Sequence, residues 1–384
     1  MNISQLRIAV IGGGIGGLAV ARACALRGAR VCVHEQATDI SEVGAGLQVS
    51  PNGFAVLRGL GLGDTLRQTG MRAQRVALHD YRRGPVVQLD LTRLVNQDYW
   101  FVHRADLIDI LHRGACAAGV EIRLNARVND PSHLDADVII GADGLHSVMR
   151  KGLNGTLAPF FTRQVAWRAV VPHDGSRSGE ARVHMAPYRH LVSYPLRGGN
   201  ALNLIAVEER AEWSEESWSA PGDPNELRTR FADFGADAQS ILAKVERVGK
   251  WGLFRHPVAP VWGQGNHALL GDAAHPTLPF MAQGASLALE DAWVLAQSLS
   301  DAPSVETALS QYQAVRVPRA TKIVNAASGN AWKYHLSSRP LRFAAHSALR
   351  LAGAVAPRRM MGQFAWIYDH DVTGGQTLAT SAIS

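Results

Sequence analysis

The stretch from Arg7 to Glu35, RIAVIGGGIGGLAVARACALRGARVCVHE, leaves this chain few folds to choose from. Arg7 to Ile11 is short, apolar and β-branched, as a buried strand is. Gly12, Gly14 and Gly17 then fill a G-x-G-x-x-G pattern at the turn into a helix, Ile15 to Arg27, with Gly28 suited to its C-cap. Arg30 to His34 reads as a second strand, and Glu35 stands at its carboxyl end. In such a unit the first glycine permits a tight turn. The second lets a pyrophosphate approach the backbone, and the third lets the helix pack on the strand. Phosphate oxygens then meet unpaired N–H groups at the positive end of the helix, and Glu35 is placed to accept hydrogen bonds from an adenosine ribose. Dinucleotide contacts are therefore expected from Gly12, Gly14, Ile15, Gly16, Gly17, Glu35 and Gln36. The competing readings are a glycine-rich packing turn and a signal peptide. The run is too rich in glycine for a signal-peptide core, and motifs further along need the segment retained.

Composition narrows the class. With 384 residues, 47% of them hydrophobic, the chain can build two domains with cores of their own. No apolar run reaches the roughly 18 residues of a spanning helix, so a protein off the membrane is expected. The net charge of +6 comes from scattered basic residues without a long Lys/Arg block, which argues against nucleic acid as a partner. Mild positive potential also suits an anionic cofactor or substrate. Cys24, Cys32 and Cys116 have neither metal nor redox spacing, so no metal centre is expected, and unpaired thiols suit a reducing cytoplasm.

Along the chain, Met71 to Asp90 alternates as strands of a new sheet do, a helix opens at Arg104, and Val120 to Val128 reads as a strand. Asp137 to Ile140 is another buried strand. Val165 to Val171 and His190 to Val207 read as antiparallel strands, the latter folded at Arg197–Asn200. Glu226 to Ala243 is expected to be helical, as are Gly284 to Leu299, Val305 to 330 and Pro340 to Ala356. The fold class read from this order is α/β: a Rossmann-like domain with a parallel sheet, an inserted and mostly antiparallel domain, and C-terminal helices. The expected division is 1–72, 101–164 and 263–330 for the first domain, 73–100 and 165–262 for the second, and 331–384 for the C-terminal region.

Three further motifs join the glycine turn. Asp137 to Arg150, DVIIGADGLHSVMR, is a strand, an Asp-Gly turn and a helix start. Gly271-Asp272-Ala273-Ala274-His275-Pro276 leads through Pro279 to Gln283-Gly284-Ala285 and Glu290-Asp291-Ala292. Arg104 opens a helix after an apolar strand. Together they resemble the group A FAD-dependent monooxygenases, the aromatic hydroxylases with the p-hydroxybenzoate hydroxylase fold, over about residues 6 to 335. Gly284-Ala285-Ser286 and the stretch Arg189 to Pro195 are most similar to the salicylate hydroxylase and 6-hydroxynicotinate 3-monooxygenase branches.

The resemblance implies FAD as cofactor, NADH or NADPH as a transient cosubstrate, and O2. Hydroxylation of an aromatic or N-heteroaromatic small molecule would then proceed through a flavin C4a-hydroperoxide. It places Arg104, Val128, Asp143, Asp272, Pro279, Gly284 and Ala285 at the FAD, together with Gly46 and Leu47. The residues themselves leave other roles open: Asp272 as an N-cap, Asp143 in an Asx-turn, Arg104 in a surface ion pair, His275 in packing. His190 and Tyr194 share one face of a strand. They are the expected catalytic pair, with His190 either deprotonating or hydrogen-bonding a ring hydroxyl, or merely satisfied at a domain seam. Gln48, Tyr194, Phe280 and Met281 are the expected substrate wall. Three departures stand out: Gln48 where the 6-hydroxynicotinate branch carries histidine, Phe280 where both branches do, and a connection of only Asn129 to Ala136 where family members insert a hairpin. The alternatives are an epoxidase or quinolone-modifying enzyme on the same fold, and a non-catalytic dinucleotide-binding protein. A homodimer is among the expected assemblies.

Overall fold

The computed structural model describes residues 1–40, 45–94, 98–175, 179–212, 220–329 and 331–378; Gly44, whose lack of a side chain would allow close backbone approach, lies outside them. Arg7–Ile11 is central because it is apolar enough to be covered on both faces. It pairs in parallel with Arg30–His34 on one side and Val138–Gly141 on the other. Glu121–Arg123 and His267–Leu269 extend this sheet in parallel, and Gly263–Gln264 adds an antiparallel edge. The helices Ile15–Ala25, Arg104–Ala117 and Gly284–Asp301 pack against it and one another. The mixed α/β fold expected from the sequence is the fold observed.

A second sheet has eight strands in the order Pro221–Gly222, Val248–Arg255, Phe160–Pro172, Ala201–Glu209, Arg189–Leu196, Glu180–Ala186, Arg75–Asp80 and Gly84–Asp90. All neighbours are antiparallel except Glu180–Ala186 with Arg75–Asp80. Side-chain alternation gives the sheet two jobs. Trp167 and its face pack on Leu227 and Leu242 of the covering helices Pro224–Arg230 and Ala236–Leu242 and on Phe231 and Phe234 of the turn between them. Ala166, Val207, Trp251 and Leu253 form the opposite face, against Leu278 and Phe280. A small sheet of Gly46–Val49, Trp100–His103 and Met71–Arg72 bridges the two.

Three expected elements differ. Met71 to Asp90 is divided, its first two residues joining the small sheet and only Arg75–Asp80 and Gly84–Asp90 the large one. The strand expected over Val120 to Val128 ends at Arg123. Asn125 turns left-handed (φ 53°), and the N–H groups of Asn125 and Ala126 bond the carbonyls of Ala37 and Glu35. The helix expected over Glu226 to Ala243 is two, because Phe231 and Phe234 both turn into the core and the Gly235 N–H bonds the Tyr81 carbonyl. Cys24 is buried, with its thiol pushed up to about 12, while Cys32 is half-buried and Cys116 exposed.

One charge cluster staples the helices to the parallel sheet. Arg316 on the Val305–Ser328 helix contacts Glu290 (2.5 Å) and Asp291 (2.7 Å) of the Gly284–Asp301 helix, with all three side chains fully buried. Arg319 adds two bonds of 2.7 Å to Glu290 and donates to the Trp366 and Ile367 carbonyls. Asn52 donates to Glu290 and the Gly271 N–H donates to Asp291. His275 bonds Asp291 at 2.5 Å and stacks on Trp262. The surrounding cations outweigh burial and hold Asp291 at about 2. Replacing Arg316 by Met strands two buried carboxylates, so denaturant unfolding of the variant should show about 3–5 kcal/mol lost. Wild-type stability in that variant would mean water or a rearranged Arg319 reaches the cluster.

Candidate active site

The glycine turn divides its labour as the spacing predicts. Gly12 has φ +105° and lies against the neighbouring strand's turn: a Cβ there would stand 2.4 Å from the Ala142 carbonyl oxygen. A Cβ on Gly17 would stand 1.9 Å from the Gly12 carbonyl oxygen, and one on Gly16 2.5 Å from Leu270. Gly14 is different, because a Cβ there meets nothing within 4 Å. It is also the N-cap of the Ile15–Ala25 helix without any side-chain cap, so the first N–H groups face open space. Glu35 bridges into this turn, its two oxygens accepting from Gly13 N (2.6 Å) and Ala37 N (2.8 Å). Gln36 is exposed and accepts from Arg127, and Val128 follows in the same loop, partly buried against the core.

Of the other expected cofactor residues, Asp143 and the start of the Gly284–Asp301 helix lie near that turn. Asp143 is adjacent to Gly12. One carboxylate oxygen accepts from Val148 N (2.8 Å), at the start of the Val148–Asn154 helix that Ser147 caps, but the other, Oδ1, is buried without a partner. Burial raises its pKa. Asp272 is exposed in the short turn Gly271–Ala273. The next long helix begins only at Gly284, so Asp272 is not its N-cap. Gly284 is open on its Cβ side, and Gln283 leaves the helix uncapped because its amide is bonded to Ser50 and Asn52. The contact of Gly16 with Ala288 sets the uncapped N-termini of the two long helices side by side, and Ala285 and Pro279 flank the second. Half-buried Arg104 joins through its backbone N–H to the Ala45 carbonyl, beside Gly46 and Leu47. Two open helix ends, a carboxylate oxygen lacking a donor and an acid at a strand's end fit an anionic dinucleotide with ribose or ribityl hydroxyls.

The wall opposite comes from the large sheet. His190, Val192 and Tyr194 share its inner face. His190 is 3% exposed, with its ring 5.9 Å from Phe280, and burial together with His335 lowers its pKa well below the usual value. It is therefore neutral at pH 7. Tyr194 is 2% exposed, stacks at 5.0 Å on Phe101 and lies against Gly46; burial keeps its hydroxyl protonated. Gln48 accepts from Tyr99 (2.7 Å), whose ring meets Tyr368. Phe280 faces His190, whereas Met281 turns to the Leu287–Ile323–Ile367 cluster along with Tyr368. The sequence reading missed the C-terminal contribution: Tyr334, His335 and Tyr368 all come to this seam from a region read only as packing helices. A Tyr-His pair directly after a long helix was the signal available.

Gly12→Ala should lower the stability of the apoprotein by about 1–3 kcal/mol, since it strains a left-handed backbone against Ala142. Gly14→Val should leave apoprotein melting unchanged and weaken FAD retention on gel filtration. Equal loss of apoprotein stability in both variants would contradict the division of labour among these glycines.

Residues 5–133 and 126–327 match the family model described as FAD binding domain. The 3-amino-4-hydroxybenzoate 2-monooxygenase of Streptomyces cremeus is 36% identical over 358 residues, covering 88% of this chain and 89% of that one. The 6-hydroxynicotinate 3-monooxygenase of Pseudomonas fluorescens is 32% identical, covering 85% and 91%. A salicylate hydroxylase solved as a substrate complex shares the fold at a TM-score of 0.80, with 23% identity and coverage of 99% and 100%. Among the described residues no helix is long and apolar enough to cross a membrane. With the family model matched over most of its length and relatives of this kind along nearly all of it, the chain belongs to the FAD-dependent aromatic monooxygenases, a flavoprotein oxidoreductase family whose electrons come from NAD(P)H and whose oxygen comes from O2.

Proposed function

We propose that this enzyme hydroxylates a small aromatic acid already carrying a ring hydroxyl, an amino- or hydroxybenzoate before an N-heterocycle. The single observation behind this is His190, a buried neutral imidazole set on a wall of otherwise apolar and phenolic side chains. A neutral imidazole in a dry site accepts a phenolic proton and enriches the ring for electrophilic attack. FAD, once bound and reduced, supplies the oxygen activation. The protein's own residues do the rest. His190 is the base, Tyr194 a fixed hydroxyl donor, and Phe280 and Gln48 the surrounding wall that excludes water. Gly12, Gly14, Glu35, Arg104, Asp143, Asp272 and the Gly284–Ala285 amides hold the cofactor. Arg168, two register positions along the same face from Ala166, brings a cation that suits a benzoate carboxylate. The Streptomyces relative acts on an aminohydroxybenzoate, and it covers nearly the whole chain.

A cytoplasmic protein agrees with the three free cysteines. A homodimer is supported by the Arg339–Val355 helix, which turns Leu341, Ala344, Ala348, Leu351 and Val355 to solvent at alternating spacings of three and four. That is the seam a second helix covers.

The purified enzyme should oxidise NADH or NADPH faster when given 3-amino-4-hydroxybenzoate or 3-hydroxybenzoate, with one oxygen atom added to the product by mass spectrometry. His190→Ala should cut that turnover about a hundredfold while FAD content stays normal. No stimulation by any ring-hydroxylated acid would overturn the substrate class, and loss of FAD in His190→Ala would remove that residue from the substrate wall. Light scattering should give twice the chain mass, and Leu351→Glu should halve it; a monomeric wild type would sink the dimer.

A further inference from the structure

The His190 ring does not end the hydrogen-bonded chain. Its Nδ1 lies 2.7 Å from Nε2 of His335, and Nδ1 of His335 lies 2.8 Å from Oε1 of Glu209. The two histidines are buried, whereas the Glu209 side chain is 39% exposed. Three groups therefore connect the interior of the seam to solvent. We propose that Glu209, His335 and His190 are a proton path that sets the tautomer of the base and carries the substrate's ring-hydroxyl proton to water. The proposal rests on the reading of His190 as the base.

The order of protons along the path follows from the donor inventory. An ionised carboxylate only accepts, so Nδ1 of His335 carries the hydrogen toward Glu209. Neutral His335 then presents a lone pair at Nε2, and Nδ1–H of His190 donates to it. That leaves the lone pair of His190 on Nε2, the form able to receive a proton from a substrate hydroxyl. When the substrate O–H bond breaks, its proton bonds to Nε2 of His190. The Nδ1 proton of His190 passes to Nε2 of His335, and the Nδ1 proton of His335 passes to Glu209, which releases it to water. The phenolate oxygen keeps the electron pair, and no oxidant is consumed. Both rings end in the opposite tautomer, and the protons return along the same path when the product hydroxyl is reprotonated.

The backbone fixes the geometry. Tyr188, left-handed at φ 60° in the turn between Glu180–Ala186 and Arg189–Leu196, donates its N–H to the His335 carbonyl and accepts from the Glu209 N–H. One residue thus anchors both ends of the outer link. Around His190 the packed elements offer Met185 from one neighbouring strand, Val207 from the other, Phe280, Tyr334 and His335. Of these, His335 and Tyr334 are the titratable groups, and burial lowers the pKa of His335. A buried imidazole without this outlet would have to hold an uncompensated charge.

Two measurements on the FAD-loaded enzyme test the path. In 15N-histidine spectra, His190 should carry its hydrogen on Nδ1, and Glu209→Gln should shift His190 toward the Nε2–H form. A wild-type His190 protonated at Nε2, or one whose tautomer ignores Glu209→Gln, overturns the path. With 3-amino-4-hydroxybenzoate as probe, His335→Gln should lower kcat at pH 7 about a hundredfold with KM and FAD content near wild type. The loss should shrink as pH rises, because the probe then arrives ionised, and added imidazole should restore part of the rate. A wild-type kcat and pH profile in His335→Gln sinks the path alone if His190→Gln is inactive. If His190→Gln hydroxylates the probe normally, the base assignment falls instead. Should no hydroxybenzoate stimulate NAD(P)H oxidation, that result counts against the substrate class, and the tautomer measurement decides the path.

Discussion

Four buried or nearly buried charges tie distant parts of this architecture together. Glu290 and Asp291 sit on consecutive positions of one helix, and Arg316 and Arg319 answer them from the next. Removed from water, each of these charges is costly unless the others are in place. The cluster also reaches outward, to Asn52, to the strand end at Gly271 and to the carbonyls of Trp366 and Ile367. The helix whose open N-terminus faces the cofactor seam, the loop carrying Asp272 and the C-terminal segment that supplies Tyr368 are therefore positioned by the same set of charges. An error of an ångström there would be felt at the seam.

The seam has two unlike walls, and the contrast suits the chemistry. The wall from the parallel sheet is polar in a particular way: helix N-termini without caps, and an aspartate with one oxygen unsatisfied. Such groups favour negative charge and sugar hydroxyls. The wall from the large sheet is apolar and aromatic, with hydroxyls held protonated by burial. A flavin held between them would have fixed dipoles for its phosphates and an apolar wall with the buried His190 beside its reacting edge. The shortened connection at Asn129 to Ala136 forms only a small turn at Pro131–His133, far in sequence from every residue of that wall.

Legibility from sequence followed the range of the interactions. The glycine turn was readable because its physics is local: Gly12, Gly14 and Gly17 act on neighbours within one strand–turn–helix, and Glu35 closes the same unit. The inner face of Arg189–Leu196 was readable from alternation alone, which put His190 and Tyr194 together. The break between Phe231 and Gly235 was not, since two phenylalanines there bury against strands far away. Nor was the early end of the strand at Arg123, set by bonds to Glu35 and Ala37. Phe280 and Met281 read as equal members of one wall, but the turn ending at left-handed Ala282 sends them to different clusters.

By itself the sequence determined the fold class and the strand–glycine turn–helix unit, because periodicity, glycine conformational freedom and helix ends are properties of short segments. Only the tertiary structure decided which distant side chains share a proton. His335 stands 145 residues from His190 and 126 from Glu209, and the Tyr334-His335 pair by itself does not say what it meets. Its place depends on how the C-terminal segment docks after a long helix. That docking is a sum of many weak contacts over the whole molecule, which no short stretch of sequence encodes.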